Sequence, residues 1–315
     1  MSAALATGGA PRETLARRVS DVLVGRPALL LLLLLLPPLL WLGVVYLGAL
    51  FALLAQSVFS IDEFSGTIVY EPTLRTYAEL LAPANLDIIV RTLVLAAVVT
   101  ALAALVAFPI GYYAARYARG KVKALFYLAV MTPLWSSYLV KVYAWKLLLA
   151  KEGAATWLVE AAGLTRALDL WLAAPLVGGP SLSVSYTGMV LTFLYLWTPF
   201  MVLPVQAALE RVPSTLIEAS GDLGAPPAVT FRRVILPLAA PGLVAGSIFT
   251  FSLTLGDYIV PQIVGPSSLI LGQAVYAEQG TAGNVPLAAA FCVAPIVIMI
   301  AFLAIARRTG ALDAL

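Results

Sequence analysis

The sequence predicts an all-α polytopic membrane protein with six transmembrane helices and both termini on the same side. Three observations predict it. Hydrophobic residues make up 62% of the 315-residue chain and charged residues 11%, where soluble domains average roughly 45–50% and about 25%. A globule of this length cannot hide that excess inside, so much of its surface must face lipid. The apolar residues also fall in runs close to the ~20 that a helix needs to cross a bilayer. Finally, the basic residues favour every second connection, which is the charge asymmetry of a protein threaded back and forth across a membrane.

Residues 1–27 form a polar tail with Arg12, Arg17, Arg18 and Arg26. Residues 28–56 are the first span, with an unbroken leucine run over 29–36. Basic residues before an apolar core also describe a signal peptide. This run is too long for such a core, and no small-x-small site followed by a soluble domain comes after it. Pro37-Pro38 predict a kink that a bilayer helix tolerates. Residues 57–90 are an extracytoplasmic connection, with Asp62, Glu63, Glu71, Glu79 and Asp87 against Arg75. Leu74, Tyr77, Leu80 and Leu81 have helical spacing there and predict a short amphipathic helix on the bilayer surface.

The core, residues 91–306, holds the other five spans at 92–113, 124–149, 187–209, 242–264 and 286–306. A short loop with Arg116, Arg119, Lys121 and Lys123 separates the first two of these. A long Gly-rich connection (151–186), a polar loop (210–241) and a connection without Lys or Arg (265–285) separate the rest. Residues 307–315 are a tail beginning Arg307-Arg308. The basic tails and loops, including 210–241 with Arg211, Arg232 and Arg233, are expected in the cytoplasm. The opposite side has Arg75, Lys151 and Arg166, with Arg91 at a span boundary.

Several chemistries are excluded. The single cysteine, Cys292, allows no disulfide within the chain, and the absence of histidine removes the commonest metal ligand and acid–base group. No G-x-x-x-x-G-K-[ST] stretch is present, so the chain has no phosphate-cradling loop of its own. Neither a catalytic residue, a metal site, a resident cofactor nor a nucleic-acid surface is expected.

The polar loop has internal order. Pro213 and Gly224 are start and stop signals for a short helix, with Leu216, Ala219, Ser220 and Leu223 on one face. Glu218 and Asp222 share another at i,i+4 spacing, a mildly repulsive pair that a cationic partner would relieve. Thr215 and Glu218 also stand at capping-box spacing, which explains Glu218 without any partner. Pro226 is expected to open a second short helix that Pro237 limits.

This loop resembles the EAA loop of binding-protein-dependent ABC importer permeases: Glu-Ala-Ala, three residues, Gly, nine residues, Ile-x-Leu-Pro. Glu218, Ala219, Gly224, Leu236 and Pro237 stand at that spacing, while Ser220 replaces the second Ala and Val234 the Ile. Residues 136–149 (SSYLVKVYAWKLLL), 195–212 (YLWTPFMVLPVQAALERV) and 256–265 (GDYIVPQIVG) are similar to permeases of the spermidine/putrescine type. The resemblance implies a type I importer fold in a bacterial inner membrane. It implies coupling through Glu218, Ala219, Ser220, Asp222, Gly224, Leu236 and Pro237 to a cytoplasmic ABC ATPase dimer, the subunit that hydrolyses ATP. A second permease subunit, expected as a paralogue in a heterodimer, and an extracytoplasmic substrate-binding protein complete the assembly. The implied substrate is a polyamine; ferric iron, thiosulfate and aminophosphonate are the alternatives within the class.

Ionisable residues inside spans face a cavity or a partner. Asp257 lies in the outer half of the fifth span, and Lys141 and Lys146 in that of the third. Lys146 is expected to snorkel to the interface. Lys141 either pairs with Asp257 or serves the substrate. Tyr138, Trp197 and Tyr258, with Tyr143, Trp145 and Tyr195, are belt aromatics or a cation–π wall for an amine. Two other classes fit less well. A secondary transporter would use an internal repeat, and none is visible. An intramembrane aspartyl protease would need a second membrane aspartate, and Thr254 stands where its motif wants glycine.

Overall fold

The computed structural model describes residues 26–62, 64–175 and 177–308. The tail arginines at 12, 17 and 18, Glu63, and the tail beyond Arg308 lie outside the described residues. Among the described residues, those up to 55 and those from 56 on form two compact units.

The first unit is α1 (Pro27–Gln56) without its last residue. Its leucines are exposed from Leu29 to Leu50, Leu34 by 67%, and half-buried at Leu53 and Leu54, as expected of a helix solvated largely by acyl chains. Pro37 and Pro38 do not end it. Proline lacks the N–H that an α-turn needs and crowds the preceding turn, and here the helix widens to a π-turn over Trp41–Tyr46 before running on.

The second unit begins with a small hairpin of β1 (Ser60–Ile61) and β2 (Ile68–Val69), paired Ser60 to Val69 and Ile61 to Ile68. The Asp62 carboxylate pins its turn by accepting from the Phe64 and Ser65 amides at 2.8 and 3.0 Å. Then comes α2 (Arg75–Leu80), the predicted short amphipathic helix. Tyr77 and Leu80 turn onto a cluster containing Leu271, Leu287 and Phe291. Part of the apolar face expected on the bilayer is therefore spent on protein, while Leu74 and Leu81 stay exposed.

Three long helices make the centre: α3 (Pro83–Arg116), α8 (Tyr186–Arg211) and α10 (Pro227–Gly256). Lipid offers helices no hydrophobic reason to associate, so close backbone approach through small residues has to supply the attraction. Here a Cβ added at Gly246 would stand 2.5 Å from Met201 Sδ, and one at Gly242 2.5 Å from Ala208 Cβ and from the Pro204 carbonyl. Ala103, Ala107, Met201, Val202, Val205, Ile235 and Ala239 fill the contact. Alongside runs α13 (Val285–Arg308), where Phe251 of α10 stacks on Phe302 at 4.8 Å.

Two expected spans are broken. The third is a bent pair, α4 (Gly120–Trp135) and α5 (Tyr138–Leu148), meeting at 97°. Ser136 and Ser137 adopt extended backbone between them, and the Pro133 carbonyl accepts from Ser136 Oγ at 3.0 Å and Lys141 Nζ at 2.7 Å. With 16 and 11 residues, neither half reaches the ~20 of a straight span. The fifth ends at Gly256; Asp257 is extended, and a separate short helix, α11 (Ile259–Ile263), follows.

The remaining elements are connections. Helices α6 (Ala154–Ala161) and α7 (Thr165–Leu172) lie between α5 and α8. Helix α9 (Ser214–Asp222) lies between α8 and α10, and α12 (Leu271–Ala277) precedes α13. The helix opened at Pro226–Pro227 does not stop at Pro237, as the sequence suggested, but continues to Gly256. A π-turn over Phe231–Ile235 accommodates the proline.

Candidate functional site

The first candidate is the α9 loop. Its end is a Schellman motif: Ala225 N–H donates to the Ser220 carbonyl at 3.1 Å and Gly224 N–H to that of Gly221 at 2.8 Å. That closure requires a left-handed residue after the helix, and Gly224 has φ +75°. Ser220 Oγ and Thr230 Oγ1 lie 2.8 Å apart and tie α9 to the start of α10. Beneath it Phe231 meets Phe108 and Tyr112 of α3 edge-on, with ring centroids 5.5 and 6.3 Å away. The loop is thus wedged onto two central helices from below.

Its other side is open. Glu218, Ala219, Asp222, Leu223 and Gly224 are exposed, Leu223 by 88%. No side-chain cap forms at the start of α9, so the capping box that explained Glu218 without a partner is not made. Leu236 is half-buried and Pro237 exposed just beyond the π-turn.

Basic span ends gather at this end of the bundle. An Arg116 guanidinium nitrogen donates to the Val212 carbonyl at 2.8 Å. Lys123 meets Glu210 at 2.9 Å, and the same Glu210 oxygen accepts from Tyr127 and Gln206, both at 3.1 Å. This knot joins α4 to α8. The sequence reading missed it, although the i,i+4 pair Gln206 and Glu210 at the end of a span was its visible trace.

The second candidate is the break at Asp257. Its Oδ1 accepts from the Val260 amide at 2.9 Å, and its Oδ2 from the Tyr138 hydroxyl. Tyr138 stacks on Trp197 at 6.0 Å and 15°. Trp197 in turn lies against Phe193 at 6.4 Å and Phe200 at 5.9 Å. The Trp197 indole is buried, and its Nε1–H has no partner among the described residues. Asp257, Tyr138 and Trp197 therefore converge from three segments. Lys141 does not join them. Its ammonium satisfies the Pro133 carbonyl at the bend, so the pairing with Asp257, one of the two roles the sequence left open for it, is not formed. Tyr258 turns away to stack on Tyr276 at 5.2 Å.

At the opposite end the connections are acidic. Burial, and then the negative charge of Glu79, push the Glu278 carboxyl above its usual range. The backbone donors at Ser65 and Phe64 hold the exposed Asp62 below its own.

The long apolar helices, packed as a bundle with an exposed loop at one end, define a multi-pass membrane protein. Residues 107–309 match the family of binding-protein-dependent transport system inner membrane components, and this chain belongs to that family. It is 54% identical over 298 residues, 95% of each chain, to the inner membrane ABC transporter permease protein YdcU of Escherichia coli (strain K12). It is 27% identical over 230 residues, 72% of this chain and 75% of the relative, to the spermidine/putrescine transport system permease protein PotB of Salmonella typhimurium (strain SL1344). Its fold matches a chain of the bacterial alginate ABC transporter solved with an alginate pentasaccharide-bound periplasmic protein: TM-score 0.64, 14% identity, 90% of this chain and 96% of that one. The chain is a non-catalytic permease subunit of an ABC importer, a multi-pass protein of the inner membrane.

Proposed function

We propose that this permease moves polyamines of the spermidine/putrescine class and takes its driving force through the α9 loop. In this reading both termini and residues 210–241 are cytoplasmic, as the clustering of basic residues at that end supports. Glu218, Ala219, Ser220, Asp222, Gly224, Leu236 and Pro237 form or support the surface seated on an ABC ATPase dimer. That dimer hydrolyses ATP, and its motion reaches α3 and α10 through Phe231 and the Ser220–Thr230 link. A paralogous second permease subunit completes the pathway as a heterodimer, and an extracytoplasmic binding protein delivers the substrate. The likeness to a transporter solved with its periplasmic protein and the PotB relatives support this arrangement.

The single observation that carries the substrate class is the Asp257 break. A carboxylate inside a span is costly unless a partner answers it, and here the partners it has are a phenol and a backbone amide rather than a cation. An amine entering the break would replace the Tyr138 hydroxyl on Asp257 beside the aromatic stack that Tyr138 makes with Trp197. Thiosulfate and aminophosphonate would bring negative charge to a carboxylate, which disfavours them.

The test is uptake of labelled putrescine and spermidine by the complete transporter in proteoliposomes. Asp257→Asn is expected to abolish uptake while the subunits still co-purify. Wild-type uptake by that variant, or uptake that neither polyamine competes for, overturns the reading.

A further inference from the structure

The connection between α5 and α8 wears its apolar side outward. Thr156 and Glu160 on α6, and Thr165 and Asp169 on α7, stand at i,i+4 spacing on their helices. With Lys151 and Ser181 they line a shared cleft of about 340 Å³. At a helical period of about 100° per residue, Trp157 stands on the flank of α6 and Leu158 on its opposite face, with Leu170 and Trp171 on the far side of α7. These are exposed by 63, 60, 70 and 53%, and Leu164 in the turn by 55%. A hairpin bathed in water would bury those residues; this one leaves them exposed along both helices, as it does Glu160 and Asp169 on the cleft side.

Its attachment sets its level. The Trp171 Nε1–H donates to Thr187 Oγ1 at 2.9 Å, and Thr187 is the second residue of α8, a membrane span. Thr187 Oγ1 donates in turn to the Val177 carbonyl at 3.0 Å, while Leu168 and Leu172 pack into the cluster around Phe193 and Trp197. The hairpin is therefore held at the end of a span, where acyl chains give way to headgroups. At the end of α5, just before the hairpin, Leu147 and Leu148 are exposed as well. Indoles are favoured at that depth, and the exposed Arg166 beside Leu170 suits anionic headgroups.

We infer that α6 and α7 form an interfacial anchor lying in the plane of the bilayer. Trp157, Leu158, Leu170 and Trp171 sit among lipid at the headgroup–acyl boundary, and the polar cleft faces water. The anchor clamps the ends of α5 and α8, and so holds the bent α4–α5 pair against the bundle.

The experiment places spin labels at Leu158→Cys, Leu170→Cys and Glu160→Cys, each in the full chain with Cys292→Ala, in phosphatidylethanolamine/phosphatidylglycerol nanodiscs. Collisions with oxygen, which concentrates in lipid, are compared with those of a water-soluble nickel chelate. Oxygen is expected to dominate at 158 and 170, and the chelate at 160. Chelate dominance at 158 and 170 means a water-facing hairpin. Exclusion of both reagents there means a protein cover, such as a second copy of the chain. Either result overturns the inference. A second readout needs no labels: tryptophan emission of the unmodified chain in brominated-chain lipid. Replacing Trp157 and Trp171 by Phe is expected to remove part of the quenchable emission, and an unchanged quenchable fraction overturns the anchor.

Discussion

Gly224 isolates backbone geometry from everything else in the α9 loop. A Cβ built there meets nothing within 4 Å, and the same holds at Gly221, three residues earlier. Only Gly224 has a positive φ, +75°. An Ala at Gly224 therefore costs about 1–2 kcal/mol of left-handed strain, while an Ala at Gly221, inside α9, gains about 1 kcal/mol of helix propensity. A loss of 1–2 kcal/mol lowers the population of the closed loop by a factor of about 5–30. Two assays read this: amide exchange at Gly224 and Ala225, whose N–H groups close the Schellman motif, and retention of the ATPase subunit on the solubilised permease. Gly224→Ala is expected to speed exchange and reduce retention, and Gly221→Ala to leave both intact or improve them. Gly224→Asn, which tolerates the left-handed region better, is expected to fall between Ala and wild type. If Gly221→Ala is as harmful as Gly224→Ala, or Asn is worse than Ala, then bulk at the partner surface and not backbone strain governs the loop, and the reasoning fails.

Other outcomes follow from the same structure. Ser220→Ala removes the bond to Thr230 and is expected to cost about 0.5–1.5 kcal/mol, seen as faster proteolysis between α9 and α10 with the spans intact. Gly246→Leu overpacks the α8–α10 contact against Met201 and is expected to cost about 1–3 kcal/mol, read as a lower thermal midpoint in detergent; Gly43→Leu on α1, where nothing lies within 4 Å, should leave it unchanged. The turn at Asp62 depends on pH. Its backbone donors lower the folded pKa below 3.8, so the stabilisation is present above that value and is lost as pH falls through the folded one. Amide exchange at Phe64 and Ser65 should accelerate only in that acid window, and Asp62→Asn should flatten the profile.

Much of the fold was legible because membrane helices are written in plain composition. The runs at 92–113, 187–209 and 286–306 fall within α3, α8 and α13; α8 and α13 are a few residues longer than their apolar stretches, while α3 begins at Pro83, well before its own. The start and stop of α9 were equally plain, since proline and glycine mark backbone states that few other residues adopt. The bend in the third span was hidden. Ser136 and Ser137 sit inside a continuous apolar run, and hydropathy averages over them. Pro237 misled for the opposite reason: as a local signal it says stop, but a π-turn one turn earlier absorbs the missing donor and the helix runs on.

The site divides in the same way. The loop motif lies within one short segment, so its residues could be named from spacing alone. Asp257 could be singled out because a charge in a span is rare, yet its partner could not. Tyr138 is 119 residues away and lies beside Asp257 only because the third span bends and the fifth stops at Gly256. Lys141 was the natural electrostatic partner on paper, and the bend gave it a freed carbonyl instead. Sequence by itself determined the solvent, the number of apolar runs and the loop, since each depends on composition or short spacing. Tertiary structure decided which polar groups meet inside the bundle, because that depends on where helices break and how closely glycines let them approach.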